Sequence, residues 1–304
     1  AKGVICVKVP ATTANFGAGF DSLGAALDYY NCIWMEEWDG CWIEILDDTD
    51  VPTDETNLIY QTAKALYERC GRPFRGLHIR QENRIPTARG LGSSSACIAG
   101  GLLGANELLG RPCELAQLVD LAAAMEGHPD NSTPALLGGF VAAAMEGEHV
   151  FWAQCPIPEE LGFVAVIPDF ELKTADARRA LPDQYVRADG VYNLSRSALM
   201  AISMAQGKLE NLRIAAEDRL HQPYRLKLIP GAEQVFDFFD KQQAYAAYIS
   251  GAGSTLMGLV PADRMKDICQ AARTFLDAQG LCGWQVLGLR AGEGARIVTA
   301  EEGR

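Results

Sequence analysis

Residues 85–101 read IPTARGLGSSSACIAGG: a glycine-rich turn, Gly90-Leu91-Gly92, runs directly into three serines and then a long apolar run. The segment 94–109 is apolar almost all round, which predicts a helix buried among other elements rather than lying on a surface. A glycine turn opening such a helix aims free backbone N–H groups and the positive helix end at one point. That is an anion site, and phosphate is the obvious guest. The same residues also suit an ordinary turn with a serine cap, or a serine hydroxyl that ligates a phosphate-bound Mg²⁺. Neither G-x-x-x-x-G-K-[ST] nor a G-x-G-x-x-G following a strand occurs, so a phosphate site here is of another kind.

Downstream, residues 115–140 read LAQLVDLAAAMEGHPDNSTPALLGGF. A helix over 114–126 gives an apolar stripe of Leu115, Leu118, Val119, Ala122 and Met125 at spacings of three and four. Glu126 falls inside that stripe, whereas Asp120 lies on the opposite face. A carboxylate buried without a partner is costly, so Glu126 is expected either to meet a cation or donors, Mg²⁺ among them, or to turn out to water where the helix frays at Gly127. The turn that follows, His128-Pro129-Asp130-Asn131, sets an imidazole, a carboxylate and an amide beside it. Upstream, VPATTANFGAGFDSLGAAL (9–27) reads as a tight glycine loop in which Asn15 and Asp21 flank Gly17 and Gly19, and SGAGST (250–255) is a further glycine turn after a strand.

Around these motifs the pattern predicts strands near 4–9, 41–46, 77–82, 139–145 and 150–154, with helices near 57–70, 94–109 and 114–126. The prolines of QCPIPEELGF (154–163) mark the expected domain boundary. Beyond it, strands are expected near 162–168, 245–250, 256–260 and 284–290, and helices near 189–206, 208–220, 233–242 and 262–279. A chain of 304 residues with 48% hydrophobic and 22% charged residues is globular and too long for one small domain. Its formal net charge of −12 argues against a nucleic-acid binder that works by counterion release. No apolar stretch is long enough to span a bilayer and the start lacks a signal-peptide core, so no membrane partner and a cytoplasmic location are the expectation. Nine cysteines without a CxxC pair read as reduced, mostly packed thiols.

Taken in order, PATTANFGAGFDSLG, PTARGLGSSSA, EGHPDN with PALLGG, and SGAGST resemble the GHMP small-molecule kinases, from Val9 to about Thr255. The NFGxGFDSLG and GHPDN forms resemble the branch that acts on homoserine. The resemblance implies an α+β fold: an N-terminal domain of the ribosomal protein S5 domain 2 type (1–155) and a C-terminal ferredoxin-like domain (156–304), with ATP and substrate between them. It implies that Gly90, Leu91, Gly92, Ser93, Ser94 and Ser95, with Pro86 and Arg89 of the same motif, wrap the nucleotide phosphates, and that Asn57 contacts adenine. It implies Mg²⁺ on Ser94 and Glu126. Only Gly127 separates Glu126 from His128, which is fewer residues than in some relatives, so Asp120 is the alternative ligand.

For an amino-acid substrate, the resemblance implies Asp21 at the ammonium and Asn131 at the hydroxyl, with Asn15, His128 and Asp130 lining the pocket. The carboxylate suits the planar fork of arginine, here Arg178 in the segment opened by Thr174, and Arg225 after His221-Gln222-Pro223-Tyr224. Ala18 and Ser254 stand where the family usually has proline. The activity implied is in-line transfer of the ATP γ-phosphoryl group to the hydroxyl of L-homoserine, on the route to threonine, carried by Asn131, Asp21 and Asn15 with no aspartate placed as general base. The alternatives are a sister kinase for mevalonate-like or sugar-like alcohols and a kinase-derived sensor without turnover. A homodimer is compatible with this reading, and no motif specifies one.

Overall fold

The computed structural model describes residues 3–303. The first sheet is built from β1 (Ile5–Ala14), β2 (Leu23–Glu37), β3 (Gly40–Ile45), β4 (Gly76–Glu82), β5 (Phe140–Glu146) and β6 (His149–Cys155). Its main path runs β3-β4-β2-β1, and only the β3–β4 pair is parallel, joined through α1 (Leu58–Arg69). β2 is long enough to serve two neighbours: residues 23–25 pair with β5 and residues 32–37 with β4. Opposite Pro10 and Ala11 the register shifts, leaving Asp28 and Tyr29 of β2 as extra residues in a bulge where β2 changes partner. The alternation-based expectation ended β1 early and left β2 out. The first third of β2, LGAAL, is rich in small residues of low strand propensity, yet it is buried throughout.

Over this sheet lie α2 (Ser93–Leu108), α3 (Leu115–Glu126) and α4 (Ser132–Leu137). α2 touches β1, α1, α3 and α4, which is the environment an all-round apolar helix requires. α3 buries Leu118, Val119, Ala122 and Ala123, but Leu115 and Met125 of the expected stripe are exposed. Two helices and a sheet edge cover less of α3 than its apolar sequence offers.

β7 (Leu161–Ile167) opens a second, wholly antiparallel sheet, completed by β8 (Ala246–Ile249), β9 (Leu256–Pro261) and β10 (Gln285–Leu289) in the order β10-β7-β9-β8. Between β7 and β8 come α5 (Thr174–Arg179), α6 (Arg187–Gln206), α7 (Leu212–Ala215), α8 (Gln222–Arg225) and α9 (Ala232–Lys241); α10 (Met265–Ala278) precedes β10. All seven residues of β7 are buried. Phe163 and Ala165 join the core beneath the first sheet, while Val164 and Val166 pack with Phe239 of α9 and Leu276 of α10. That double burial explains why the strand reads as a continuous apolar run. β11 (Arg296–Val298), absent from the expectations, returns to pair with β1. The helix expected over 208–220 is only a turn and α7. The carboxylate of Asp218 accepts the N–H groups of Leu220, His221 and Gln222, holding the chain out of a helix there.

All nine cysteines are free thiols and only Cys282 is exposed. Among the described residues no helix is long and apolar enough to cross a membrane.

Candidate active site

A cavity of about 400 Å³ lies where the ends of β1 and β8 meet the start of α2. The phosphate-type loop forms one wall. Its carbonyls are held from outside: Ala88 by Leu172 N–H (2.9 Å), Arg89 by Thr255 N–H (2.9 Å), Gly90 by the Ser250 hydroxyl (2.7 Å) and Leu91 by Thr12 N–H (3.0 Å). The N–H groups of residues 90–95 make no backbone hydrogen bond and remain available. Gly90 and Gly92 sit at φ of +76° and +73°, a conformation that glycine adopts without steric cost. Leu91 is fully buried and, with Pro86, stands outside the cavity lining, whereas Arg89, Gly90, Gly92 and the three serines line it.

Glu126, the last residue of α3, accepts the hydroxyls of Ser94 (3.0 Å) and Ser95 (2.6 Å) on one oxygen. The helix ends there because Gly127 takes φ +89°. Burial first and the Glu126 charge second push the nearby Cys97 thiol up to about 12. A carboxylate and two hydroxyls form a hard, all-oxygen donor set, which fits Mg²⁺. Asp120 is elsewhere, accepting from Val150 N–H (2.8 Å) and contacting His149 Nδ1 (3.0 Å). A second cluster, Asp21, His128 and Asp130, has ligand atoms within 4.8 Å of one another, but its groups are already engaged. His128 Nδ1 lies 2.6 Å from Asp130 Oδ1, and Arg178 grips Asp21. Burial disfavours a charged His128, yet the hydrogen bond and charge of Asp130, with Asp21 beyond, outweigh it and raise the imidazole pKa.

The loop 15–21 is strained and well anchored. Asn15, Phe16 and Asp21 all have positive φ, at a cost of about 1–3 kcal/mol each. Phe16 is fully buried, edge-on to Phe140 and Phe163 and stacked on Tyr248, and burial of such a ring contributes about 1.5–3 kcal/mol, enough to offset its own strain. Asn15 spends its amide on holding the loop: Oδ1 accepts from Asp21 N–H (3.0 Å) within it, and Nδ2 donates to Gly251 O (3.0 Å) of the glycine turn 250–255. Asn57 is similarly committed. Its oxygen caps α1 at Ile59 and Tyr60, and its nitrogen donates to Pro52 O and Gln81 Oε1. Asn57 therefore shapes the cavity wall while its polar atoms are in use.

Opposite the loop stand Thr174 at the start of α5, Arg178, and Arg225 at the end of α8. Arg225 is 1% exposed, and its Nη1 donates to His221 Nδ1 (3.2 Å). His221 Nε2 in turn lies 2.7 Å from Gly17 O, so Nε2 carries the proton. Burial, and then the charge of Arg178, lower the Arg225 pKa to about 10, still far above neutrality. The ring of Phe20 lies beneath both guanidiniums, at 5.6 and 5.3 Å. Motif reading missed Thr12, Phe20, Gln81 and Lys173. Phe20, an aromatic inside a polar glycine loop, carries a usable signal; Thr12 and Gln81 reach the site through contacts distant in sequence.

Residues 57–139 match the model of the GHMP kinases N terminal domain, and residues 200–278 that of the GHMP kinases C terminal. The chain is 41% identical to a homoserine kinase of Clostridium beijerinckii, covering 94% of this chain and 95% of the relative. It is 43% identical to one of Microchaete diplosiphon, covering 94% and 92%. A crystal structure of homoserine kinase from Cytophaga hutchinsonii superposes with a TM-score of 0.88 at 28% identity, covering 98% of both chains.

Proposed function

Because the chain belongs to the homoserine kinases within the GHMP kinase family, we propose that it transfers the γ-phosphoryl group of ATP to the side-chain hydroxyl of L-homoserine, giving O-phospho-L-homoserine and ADP. The observation that carries this reading is the charge layout of one cavity: N–H donors and Glu126 line it together with Asp21, Arg178 and Arg225. The first group suits polyphosphate, and the second suits a zwitterion with both an ammonium and a carboxylate. A mevalonate-like acid that drew Arg178 to its carboxylate would leave Asp21 unpaired, and a sugar offers neither charge to replace the Arg178–Asp21 pair.

In this reading the N–H groups of residues 90–95 and the α2 end hold the phosphate oxygens, and the net charge of −12 is no obstacle because the attraction is local. Ser94 and Glu126 would hold Mg²⁺, which when bound neutralises charge on the phosphates. Arg178 and Arg225 orient the carboxylate and Asp21 the ammonium, which brings the hydroxyl beside Asn131. The hydroxyl oxygen forms the new bond to the γ-phosphorus as the bond to the bridging oxygen of ADP breaks in line. The hydroxyl proton leaves late, to phosphate oxygen or solvent, because a loose transition state needs little help from a base. The two lobes, divided at residues 154–163 with β11 returning to the first sheet, close the site between them.

A coupled assay for ADP with ATP, Mg²⁺ and a panel of homoserine, serine, threonine, mevalonate and galactose tests the reading. Turnover of homoserine ahead of every other alcohol is the expected result. ADP release with mevalonate but not with homoserine rejects it.

A further inference from the structure

Thr12 is fully buried inside β1 and belongs neither to the phosphate loop nor to the turn that carries Asn131, yet it touches both. Its backbone N–H donates to Leu91 O (3.0 Å), and its hydroxyl donates to Asn131 Oδ1 (2.8 Å). Gly92, which opens α2, lies so close that a Cβ there would stand 2.0 Å from Thr12 Oγ1. One residue thus spans the nucleotide side and the acceptor side of the cavity.

An amide oxygen only accepts and an amide nitrogen only donates. With Oδ1 taken by Thr12, Nδ2 is the polar atom that Asn131 has left to offer the cavity it lines. We propose that Thr12 is a positioning residue that sets Asn131 as a hydrogen-bond donor toward the oxygens of the transferred group and its acceptor. The inference rests on the phosphoryl-transfer reading above and adds what orients the amide. Charge decides why a donor is needed. The transferred group carries negative oxygens throughout the step, so an amide nitrogen stabilises them where an amide oxygen would repel them.

Thr13 supplies the frame. Its hydroxyl lies 2.9 Å from Tyr248 Oη and 2.8 Å from Ser250 Oγ, and Ser250 donates to Gly90 O (2.7 Å). A carbonyl can only accept, so the chain runs in one direction, from Tyr248 through Thr13 and Ser250 to Gly90. Neighbouring residues of a strand point to opposite faces. Thr12 and Thr13 therefore grip residues 90–92 from two sides, and the register of β1 fixes the Thr12 hydroxyl relative to the loop.

The test compares Thr12→Val, which removes the hydroxyl at nearly constant shape, with Thr12→Ser, which keeps it. Thr12→Val is expected to lower kcat by about 10- to 100-fold with KM for ATP and homoserine each within about threefold, and Thr12→Ser to restore kcat to within about threefold of wild type. Thr12→Ala, which cannot crowd Gly92, should fall with Thr12→Val. In an Asn131→Ala background the added Thr12→Val change should cost no more than about twofold, because the effect passes through Asn131. Full kcat in Thr12→Val while Asn131→Ala is impaired overturns the inference and leaves the reaction assignment standing, and so does a full additive loss in the double variant. Wild-type turnover in Asn131→Ala would instead overturn the role of Asn131 itself.

Discussion

Arg178 and Asp21, 157 residues apart in sequence, meet through two parallel hydrogen bonds, from Nη2 to Oδ1 at 2.7 Å and from Nη1 to Oδ2 at 3.1 Å. The bond to Asp21 raises the Arg178 pKa, so the guanidinium stays charged. Each is the partner that an amino acid's opposite ends would seek. A zwitterion entering here exchanges one protein ion pair for two charge-matched contacts, and a substrate lacking either charge has no such exchange to offer. Asp21→Asn should therefore raise KM for homoserine by about 30- to 100-fold while KM for ATP moves by less than about threefold, since removing one partner of a charged hydrogen-bonded pair is costly. Initial-rate kinetics with each substrate varied in turn decide it. An unchanged homoserine KM would remove Asp21 from the ammonium site.

Glu126 and Asp120 make opposite predictions for the metal. Glu126 faces the hydroxyls of Ser94 and Ser95 in the cavity, and Asp120 is paired with His149 outside it. Glu126→Gln should raise the Mg²⁺ concentration for half-maximal rate by about 10- to 100-fold, and Asp120→Asn should leave it within about twofold. A magnesium titration of the two variants, with ATP held constant, separates them. The reverse pattern would make Asp120 the ligand.

These contrasts mark where the chain was legible. The buried α2 and its loop could be read because an all-round apolar helix opened by glycines permits few placements. Glu126 stood out because it broke a stripe, even though Leu115 and Met125 of that stripe are exposed. β2 was illegible because Gly24, Ala25 and Ala26 carry no strand signal and are small to admit neighbours. A Cβ on Gly24 would meet Asp130 O at 1.8 Å. Arg225 lies on a four-residue helix that no periodicity reveals, so its burial is a product of tertiary contacts alone. Thr12 acts across 119 residues, beyond the reach of any local pattern.

Gly90 carries a backbone prediction. At φ +76° an alanine is strained by about 1–2 kcal/mol, and its Cβ would stand 2.0 Å from Ser250 O, so the loop or the glycine turn must shift. Because Ser250 also holds Gly90 O, that shift moves the N–H groups offered to phosphate. Gly90→Ala should raise KM for ATP at least about tenfold and lower the thermal midpoint by about 1.5–2 °C per kcal/mol lost. ATP kinetics and a melting curve are sufficient, and a wild-type ATP KM would show that the N–H groups of this loop do not hold the nucleotide.

His221 predicts a loss of stability in acid. It is fully buried between Gly17 O and Arg225. Burial depresses its pKa below the ordinary value of about 6.5, and the Arg225 charge adds to that, together outweighing Asp218 and the Gly17 carbonyl. Below about pH 6.5 the unfolded chain therefore binds a proton that the folded chain refuses. Stability present above that value is lost as pH falls, with a slope of up to about 1.4 kcal/mol per pH unit from this one group. Urea unfolding at pH 7.5, 6.5 and 5.5 should show the wild type losing ground relative to His221→Gln, which has no proton to bind. Parallel profiles would mean that His221 is not held neutral. The Nδ1 lone pair that receives Arg225 would then have to carry a proton, and the arginine would lose the contact that holds it at the cavity wall.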